Sequence, residues 1–167
     1  LAKNETSERA KSPSLLILPA SLVPNWQREL KRFAPSLRYQ TIHPSELSRE
    51  ELNGFSFKVS DYDVLLTTYS MALRLPWLDD TSWNMIIVDE AQALKNPEAK
   101  QTKVIKNLKA QVRIALTGTP IENSLTDLWS LFDFLEPSLL GSFEDFKSFY
   151  QKLREKKSYL PLKKLIS

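Results

Sequence analysis

The hydrophobic residues of this chain fall into short continuous runs separated by stretches with helical periodicity. The four clearest runs are residues 14–21, 63–70, 84–90 and 113–120, and residues 38–43 indicate a further short strand. Each run is continuous rather than alternating, which is typical of strands buried on both faces of a parallel sheet. Strands that alternate with helical segments predict an α/β domain, a parallel sheet flanked by helices on both faces.

The first helix is predicted directly after the first run. Pro24 suits a first helical turn, and Trp26, Leu30 and Phe33 recur at helical spacing until residues 34–36 end the pattern. Charged residues fill the opposite face. We therefore expect these apolar residues on the inner face, with Trp26 packed in the core.

Four later helices begin with recognisable start signals. The signals are the polar stretch 45–54 closed by Gly54, Asn96 with Pro97, Ser124 with Asp127, and Ser142 with Asp145. The last two pairs have the spacing of a capping box. Helical spacing predicts the inner faces of the last two helices as Leu125, Leu128, Trp129, Phe132 and Leu135, stopped by Pro137, and Phe143, Phe146, Phe149, Tyr150 and Leu153.

Composition narrows the protein class. A chain of 167 residues, 42% hydrophobic and 26% charged, is long enough for one globular domain with a real core. Its apolar runs are far shorter than the roughly 20 residues of a membrane span, and residues 1–13 contain no apolar core like that of a secretory signal. The absence of cysteine excludes disulfides and thiolate metal sites and is compatible with a reducing compartment. The net charge of +3 is too small to indicate a polyanion partner by itself.

The domain organisation follows from local composition. Residues 1–13 are polar and lack periodicity, so we expect a linker or mobile loop. Residues 14–155 are expected to form the α/β domain. Because the chain begins at Leu1 rather than methionine and stops without a cap at Ser167, we expect a piece of a longer protein.

Polar side chains follow each of the four predicted strands. They lie in residues 19–22, 67–70, 89–92 and 117–120. Taken singly, each group has an ordinary explanation as a helix cap or a solvated strand edge. Ligands of parallel α/β sheets bind beyond the carboxyl ends of the strands, so the four groups together predict a site at that edge.

Asp89 and Glu90 carry the strongest chemistry at this edge. An aspartate at the tip of a buried strand is where nucleotide-hydrolysing folds hold magnesium, a cation that prefers carboxylate and water oxygens. A neighbouring glutamate can polarise the attacking water. Adjacent residues on a strand point in opposite directions, so the two carboxylates can divide these roles only if the chain turns at Glu90.

Several motifs resemble those of one ATPase family in both order and spacing. The segment "VDEAQALKN" is similar to the Walker B motif of superfamily-two helicases, in the form used by Swi/Snf-type DNA-translocating ATPases. "LLILPASLVPNWQREL" resembles their motif Ia, "VLLTTYSMAL" their motif Ib, and "IALTGTPIENSLTDLWSLFDFLEP" their motif III. The resemblance implies a partial first RecA-like lobe of a double-stranded-DNA translocase or remodelling motor. Such a motor is intracellular, cytoplasmic or in the nucleoid if the source is bacterial, and nuclear if it is eukaryotic.

The resemblance also implies roles for individual residues. Asp89 would hold Mg²⁺ through water, and Glu90 would orient the water that attacks ATP. Gln92 stands where many family members have histidine, so its role would be coupling or positioning rather than proton transfer. Thr117 and Thr119 would link the state of the nucleotide to the DNA track. Gly118 would suit a tight turn between them, and Asn123 belongs to the same signature. The residues that would lie along the DNA phosphate backbone, without reading base sequence, are Pro19, Ser21, Leu22, Thr67, Thr68 and Tyr69.

One family feature is missing from the printed sequence. A phosphate loop needs glycine followed by lysine and then serine or threonine, whereas the residues that follow Gly54, Gly118 and Gly141 do not match. In the family this loop lies upstream of motif Ia, and further arginines come from a second lobe. Residues 156–167 resemble the start of the connection to that lobe. We therefore expect the chain alone to be inactive as an ATPase.

The missing strand has a structural consequence. In related folds the phosphate-loop strand pairs with the motif III strand, so residues 113–118 are expected to form an open sheet edge. Such an edge invites another chain, and self-association is our hypothesis.

Two alternative functions stay open at this point. The chain could be a non-catalytic interaction module that keeps only the shape of the lobe, or a magnesium-dependent hydrolase that uses Asp89 and Glu90 without a nucleotide.

Other candidate features have ordinary explanations. His43 is the only histidine and is expected in a loop, and the lysines at positions 100, 103, 106 and 109 are expected on a solvated helix face.

Overall fold

The computed structural model describes residues 12–54, 58–118, 125–137 and 139–155, without the side chains of Leu125 and residues 153–155. Several sequence-based expectations lie outside these residues. They are the linker over most of residues 1–13, the connection 156–167, the roles of Thr119 and Asn123, the Ser124 cap, and the packing of Leu125 and Leu153.

Five strands form one sheet, and every strand pair in it is parallel. The strands are β1 (Ser14–Leu18), β2 (Tyr39–Ile42), β3 (Val64–Thr68), β4 (Ser82–Val88) and β5 (Lys109–Ala115), in the spatial order β2-β3-β1-β4-β5. The predicted parallel sheet is confirmed, including the short second strand. β4 and β5 begin earlier than their apolar runs, because Ser82 pairs with Lys109 at the start of that ladder.

Alternate residues of the strands supply two hydrophobic clusters, one on each face of the sheet. The larger cluster contains Leu15, Ile17, Leu65 and Ile86 of the strands together with Phe134 from a later helix. The smaller cluster contains the intervening residues of the same strands, which are Leu16, Leu18 and Leu66, with Trp26 and Leu30 packed against them. Burying one large apolar side chain stabilises a fold by roughly 1.5–3 kcal/mol, so these clusters hold the strand ends in place.

Seven α-helices are seen among the described residues. They are α1 (Val23–Phe33), α2 (Arg49–Leu52), α3 (Tyr69–Ala72), α4 (Trp77–Asp80), α5 (Lys100–Asn107), α6 (Leu125–Leu135) and α7 (Phe143–Glu155). Pro24 lies in the first turn of α1 as predicted. Gly54 follows α2 with a φ of 82°, a conformation that favours glycine. The Ser142 cap of α7 is also confirmed, since its hydroxyl accepts from the Asp145 amide at 3.2 Å.

Three helix predictions were wrong in detail. α5 begins at Lys100 rather than at Asn96, because the Asn96 side chain accepts from the Glu98 amide and forms a local turn instead of a helix cap. Phe33 is 70% exposed, since it lies in the last turn of α1, beyond the edge of the sheet cluster. Phe149 of α7 is exposed as well.

The buried face of α6 also differs from the predicted one. Ser130 and Phe134 are fully buried, with Leu131 and Leu135 beside them in the larger cluster. The Ser130 hydroxyl donates to the carbonyl of Leu94 at 2.5 Å. This polar contact rotates the helix so that a serine, which hydrophobic periodicity counts as outside, faces the core.

α6 is tied to the sheet through a second polar contact. The guanidinium of Arg113 on β5 donates to the carbonyls of Lys106, Leu108 and Phe134 at 3.0, 2.8 and 3.1 Å. Burial lowers the pKa of Arg113. These bonds join the end of α5, strand β5 and helix α6 into one unit.

β5 lies at one edge of the sheet, as the sequence predicted for residues 113–118. Val112 is 46% exposed and Leu116 is 36% exposed at this edge. None of the helices in the described ranges combines the length and the hydrophobicity that crossing a bilayer requires.

Candidate functional site

The predicted strand-end residues converge at the carboxyl ends of β1, β4 and β5. The Asp89 amide donates to the carbonyl of Ile17 at 2.8 Å, which extends the pairing of β4 with β1. The Ala91 amide donates to the carbonyl of Leu116 at 2.8 Å on the other side. The segment that carries Asp89 and Glu90 is therefore held between the ends of its two neighbouring strands.

Glu90 turns the chain at this point. Its φ is 52°, and it is the only residue other than glycine with a positive φ among those that the structure describes. A side chain in this left-handed region costs roughly 1–3 kcal/mol, which the surrounding hydrogen bonds must offset. The turn required to separate the roles of the two carboxylates is confirmed. Ala91–Leu94 then form a short 3₁₀ turn.

Both oxygens of the Asp89 carboxylate accept a hydrogen bond from the protein. The indole nitrogen of Trp26 donates to Oδ2 at 2.7 Å, and the amide of Glu90 donates to Oδ1 at 2.9 Å. Trp26 packs against the smaller hydrophobic cluster as expected, but the sequence did not indicate the bond to Asp89. The two residues are 63 positions apart in the sequence, and no local pattern predicts a contact over that separation.

Gln92 connects two of the predicted segments. Its amide nitrogen donates to Oε2 of Glu90, and its amide oxygen accepts from the hydroxyl of Thr117 at 2.9 Å. A glutamine amide both donates and accepts at the same time, which a carboxylate could not do. Glu90, Gln92 and Thr117 thus form a continuous hydrogen-bonded chain from the end of β4 to the end of β5.

Gly118 follows Thr117 at an exposed position. A Cβ atom built there would meet none of the described residues within 4 Å, and the φ of Gly118 does not lie in the left-handed region. The tight turn that the sequence suggested therefore gives no steric reason for glycine at this position.

Three of the predicted phosphate contacts lie at the end of β3, where Thr67 and Thr68 are its last residues and Tyr69 follows it, and all three side chains are buried. Thr67 is fully buried, and its hydroxyl donates to the carbonyl of Ile42 at 3.3 Å. Thr68 is 3% exposed and caps α3 by accepting from the Met71 amide. Tyr69 is 9% exposed. Each of the three hydroxyls bonds a backbone group of the protein, and that of Thr68 also lies 3.1 Å from the hydroxyl of Ser70.

Tyr69 contacts the segment of the two carboxylates instead. Its hydroxyl donates to the carbonyl of Asp89 at 2.7 Å, and the carbonyl of Glu90 lies at 3.4 Å. Burial raises the pKa of Tyr69, and the charges of Asp89 and Glu90 raise the pKa further. The phenol therefore stays protonated and serves as a hydrogen-bond donor.

The segment after β1 presents a more open surface. Ser21 is exposed, while Pro19 and Leu22 are half-buried, and Leu22 packs against the smaller cluster. Ala20–Leu22 form a 3₁₀ turn that leads directly into α1. Of the six predicted DNA contacts, Ser21 has the side chain best placed to meet a large ligand.

The donor set suits magnesium better than a transition metal. Within the described ranges, no group of three His, Cys, Asp or Glu side chains could enclose a metal ion. Asp89 nevertheless presents hard carboxylate oxygens at the ligand edge of the sheet. Mg²⁺ usually binds through one or two carboxylates and keeps several waters, so the residues present fit that ion.

Comparison with known proteins gives consistent matches over nearly the whole chain. A family model described as the SNF2-related domain matches residues 1–167. The protein YwqA of Bacillus subtilis is 41% identical over 165 residues, covering 96% of this chain and 18% of the relative. An uncharacterised ATP-dependent helicase of Mycoplasma genitalium, MG018, is 35% identical over 162 residues, covering 96% of this chain and 15% of the relative.

A solved structure shares the fold. The Sulfolobus solfataricus SWI2/SNF2 ATPase core in complex with double-stranded DNA is 44% identical, with a TM-score of 0.80. The match covers 95% of this chain and 33% of the other chain. The parallel sheet flanked by helices is therefore the RecA-like fold of that ATPase core, represented here in part.

Proposed function

Because the chain belongs to the SNF2-related domain family, we propose that it forms part of the first RecA-like lobe of an ATP-dependent motor that moves along double-stranded DNA. The chain spans less than a fifth of the two relatives' lengths, so the activity belongs to a longer protein. The observation that carries the proposal is the hydrogen-bonded chain from Glu90 through Gln92 to Thr117, beside a separately held Asp89.

The two carboxylates have different surroundings that suit different tasks. Asp89 is fixed by the donors on both of its oxygens, and would hold Mg²⁺ through water while presenting its remaining lone pairs. When bound with ATP, the ion supplies charge neutralisation at the phosphate oxygens. The Glu90 carboxylate lies across the turn and accepts a hydrogen bond from the Gln92 amide. It would accept a proton from the water that attacks the terminal phosphate.

Gln92 and Thr117 would report the state of the nucleotide to the rest of the lobe. A change in charge or hydrogen bonding at Glu90 alters the partner of the Gln92 amide, and Gln92 in turn holds the hydroxyl of Thr117. Thr117 ends the segment after β5, at the start of the "TGTP" sequence. Gly118 and Thr119 would continue this connection toward the DNA.

DNA would lie along the segments that follow β1 and β3. Pro19, Ser21 and Leu22 would contact the phosphate backbone, with backbone amides and the Ser21 hydroxyl as donors. Thr67, Thr68 and Tyr69 would act by shaping the second segment, because their own hydroxyls bond inside the protein. Such contacts are independent of base sequence and weaken as the salt concentration rises.

The remaining parts of the motor would come from other segments of the full-length protein. No glycine of this chain is followed by the lysine and hydroxyl residue of a phosphate loop, so ATP needs additional donors. We propose that a second lobe supplies arginines, and that residues 1–167 alone do not hydrolyse ATP. A motor on DNA works in the nucleoid or the nucleus, which is the location we propose.

The DNA surface can be tested with a matched pair of substitutions in the full-length protein. Ser21→Glu places a carboxylate against the proposed phosphate path, and we expect weaker binding to duplex DNA by roughly tenfold, equally for unrelated sequences. ATP hydrolysis without DNA should stay unchanged, while more DNA should be needed for half-maximal stimulation. Fluorescence anisotropy and an ATPase assay measure these quantities.

Ser60→Glu provides the control for this experiment. Ser60 is also exposed, but it precedes β3 and so lies toward the amino-terminal edge of the sheet. We expect this variant to bind DNA like the wild type. Equal binding by all three proteins would contradict the proposed DNA path, and a wild-type protein without DNA-stimulated ATP hydrolysis would contradict the motor itself.

Self-association through β5 is a separate proposal for the isolated chain. The edge position of β5 and the exposed Val112 and Leu116 support it, because an unpaired apolar edge can pair with another copy. Val112→Lys should reduce the association, since charge on an edge strand opposes pairing. Light scattering over a range of concentrations measures the mass, and a monomer at every concentration would disprove the proposal.

A further inference from the structure

We infer that Trp26 is a positioning residue for Asp89, and that its indole connects helix α1, which directly follows the proposed DNA-contacting residues 19–22, to the carboxylate that would hold magnesium. The inference rests on the proposed function, because it places Asp89 at the metal and the residues directly before α1 at the DNA. It adds a direct contact between the proposed DNA surface and the proposed metal site. This contact does not involve the hydrogen bonds that join Glu90, Gln92 and Thr117.

The geometry makes this bond well defined. The indole nitrogen lies 2.7 Å from Oδ2 of Asp89, a short distance that is typical of a charge-assisted hydrogen bond. The other oxygen accepts from the Glu90 amide at 2.9 Å. With one donor on each oxygen, rotation of the carboxylate about its last bond breaks at least one of them.

Trp26 is itself held by its surroundings. The indole packs against the smaller hydrophobic cluster of Leu16, Leu18 and Leu66, and Trp26 lies on the second turn of α1. Its nitrogen is a donor only and does not titrate, so the bond to Asp89 is present at any pH at which the carboxylate is charged. The rigid indole therefore passes a shift of α1 to Asp89.

A second aromatic side chain, from the segment that follows β3, also holds Asp89 in place. Tyr69, directly after β3, donates to the backbone carbonyl of Asp89 at 2.7 Å. Thus helix α1, which continues from the segment after β1, holds the Asp89 side chain, and the segment after β3 holds its backbone. A ligand that presses on both segments changes the placement of the same residue.

The test uses Trp26→Phe in the full-length protein, with Trp77→Phe as the matched control. Trp77 also donates its indole N–H, to the carbonyl of Leu52 at 2.8 Å, but at a distant position. Mn²⁺ binding with a non-hydrolysable ATP analogue is measured by electron paramagnetic resonance of the free ion. We expect the dissociation constant for Mn²⁺ to rise about 10- to 100-fold in Trp26→Phe, the usual effect of removing a hydrogen bond that orients a metal ligand. It should stay near the wild-type value in Trp77→Phe.

Duplex DNA provides the readout that a purely structural role would not change. We expect saturating DNA to shift the wild-type dissociation constant for Mn²⁺, and Trp26→Phe to lose most of that shift. If Trp26→Phe binds Mn²⁺ like the wild type, the positioning role is disproved. If its affinity falls but the DNA-dependent shift remains complete, the connection to α1 is disproved.

Two further measurements keep the test decisive if the first variant is unstable. Trp26→His keeps a ring N–H at a similar reach, so near pH 8, where most of its imidazole is neutral, it should recover part of the lost affinity. If Trp26→Phe fails to fold in a thermal unfolding experiment, Trp26→Met, which also lacks a donor, replaces it and is judged by the same two criteria. A wild-type protein that binds no Mn²⁺ with the analogue contradicts the proposed function instead, which separates the two failures.

Discussion

Replacing Glu90 with glutamine in the full-length protein is expected to lower ATP hydrolysis about 10²- to 10⁴-fold, the usual contribution of a general base. Glutamine has the same shape, so the left-handed turn at φ 52° and the packing around it should be retained. An amide cannot accept the proton of the attacking water. Binding of ATP and of DNA should remain close to the wild-type values, because neither depends on proton transfer.

A steady-state ATPase assay with saturating DNA measures the effect. The matched control is Glu98→Gln, since Glu98 is a surface residue whose carboxylate pairs with Lys103 at 2.6 Å. That variant should hydrolyse ATP at the wild-type rate. Turnover by Glu90→Gln at the rate of the control would show that another group activates the water.

Phe134→Ala is expected to have the largest effect on stability. Phe134 is fully buried on α6 in the larger cluster, and removing such a ring usually costs about 3–5 kcal/mol, because a cavity remains. α6 also supports the turn after Glu90 through the bond from Ser130 to Leu94. Loss of this packing should therefore loosen the turn and lower ATP hydrolysis as well.

Hydrogen exchange of the full-length protein, followed by mass spectrometry, measures the local free energy of opening in α6 and in Ala91–Leu94. Protection in both segments should fall together. Phe33→Ala is the control, since Phe33 is 70% exposed and its removal should change stability by less than about 0.5 kcal/mol. Equal protection in the two variants would contradict the anchoring role of Phe134.

The positions of the strands and the site edge could be predicted from the sequence because they depend on local patterns. Short continuous apolar runs are typical of strands that are covered on both faces, and parallel strands bring their carboxyl ends to one edge. Asp89 and Glu90 were recognised there, and the need for a turn at Glu90 followed from the alternation of side chains along a strand. The left-handed φ of Glu90 confirms that requirement.

The direction of individual side chains could not be predicted in the same way. Thr67, Thr68 and Tyr69 look like surface hydroxyls in the sequence, but each satisfies a buried backbone group that comes from the fold. Ser130 turns inward for the same reason, because the carbonyl of Leu94 needs a donor. The hydrogen-bond partners of these side chains lie between 3 and 36 residues away in the sequence. Hydrophobic periodicity gives no information about the more distant partners.

The sequence by itself therefore determined the class of fold, the order of its strands along the chain and the two carboxylates at the site. These properties depend on the spacing of hydrophobic residues and on functional groups that are adjacent in the sequence. The tertiary structure alone decided that Trp26 holds the side chain of Asp89, that Tyr69 holds its backbone, and that Gln92 joins Glu90 to Thr117. The physical reason is that hydrogen bonds act over about 3 Å, and only the folded sheet brings segments distant in sequence within that range.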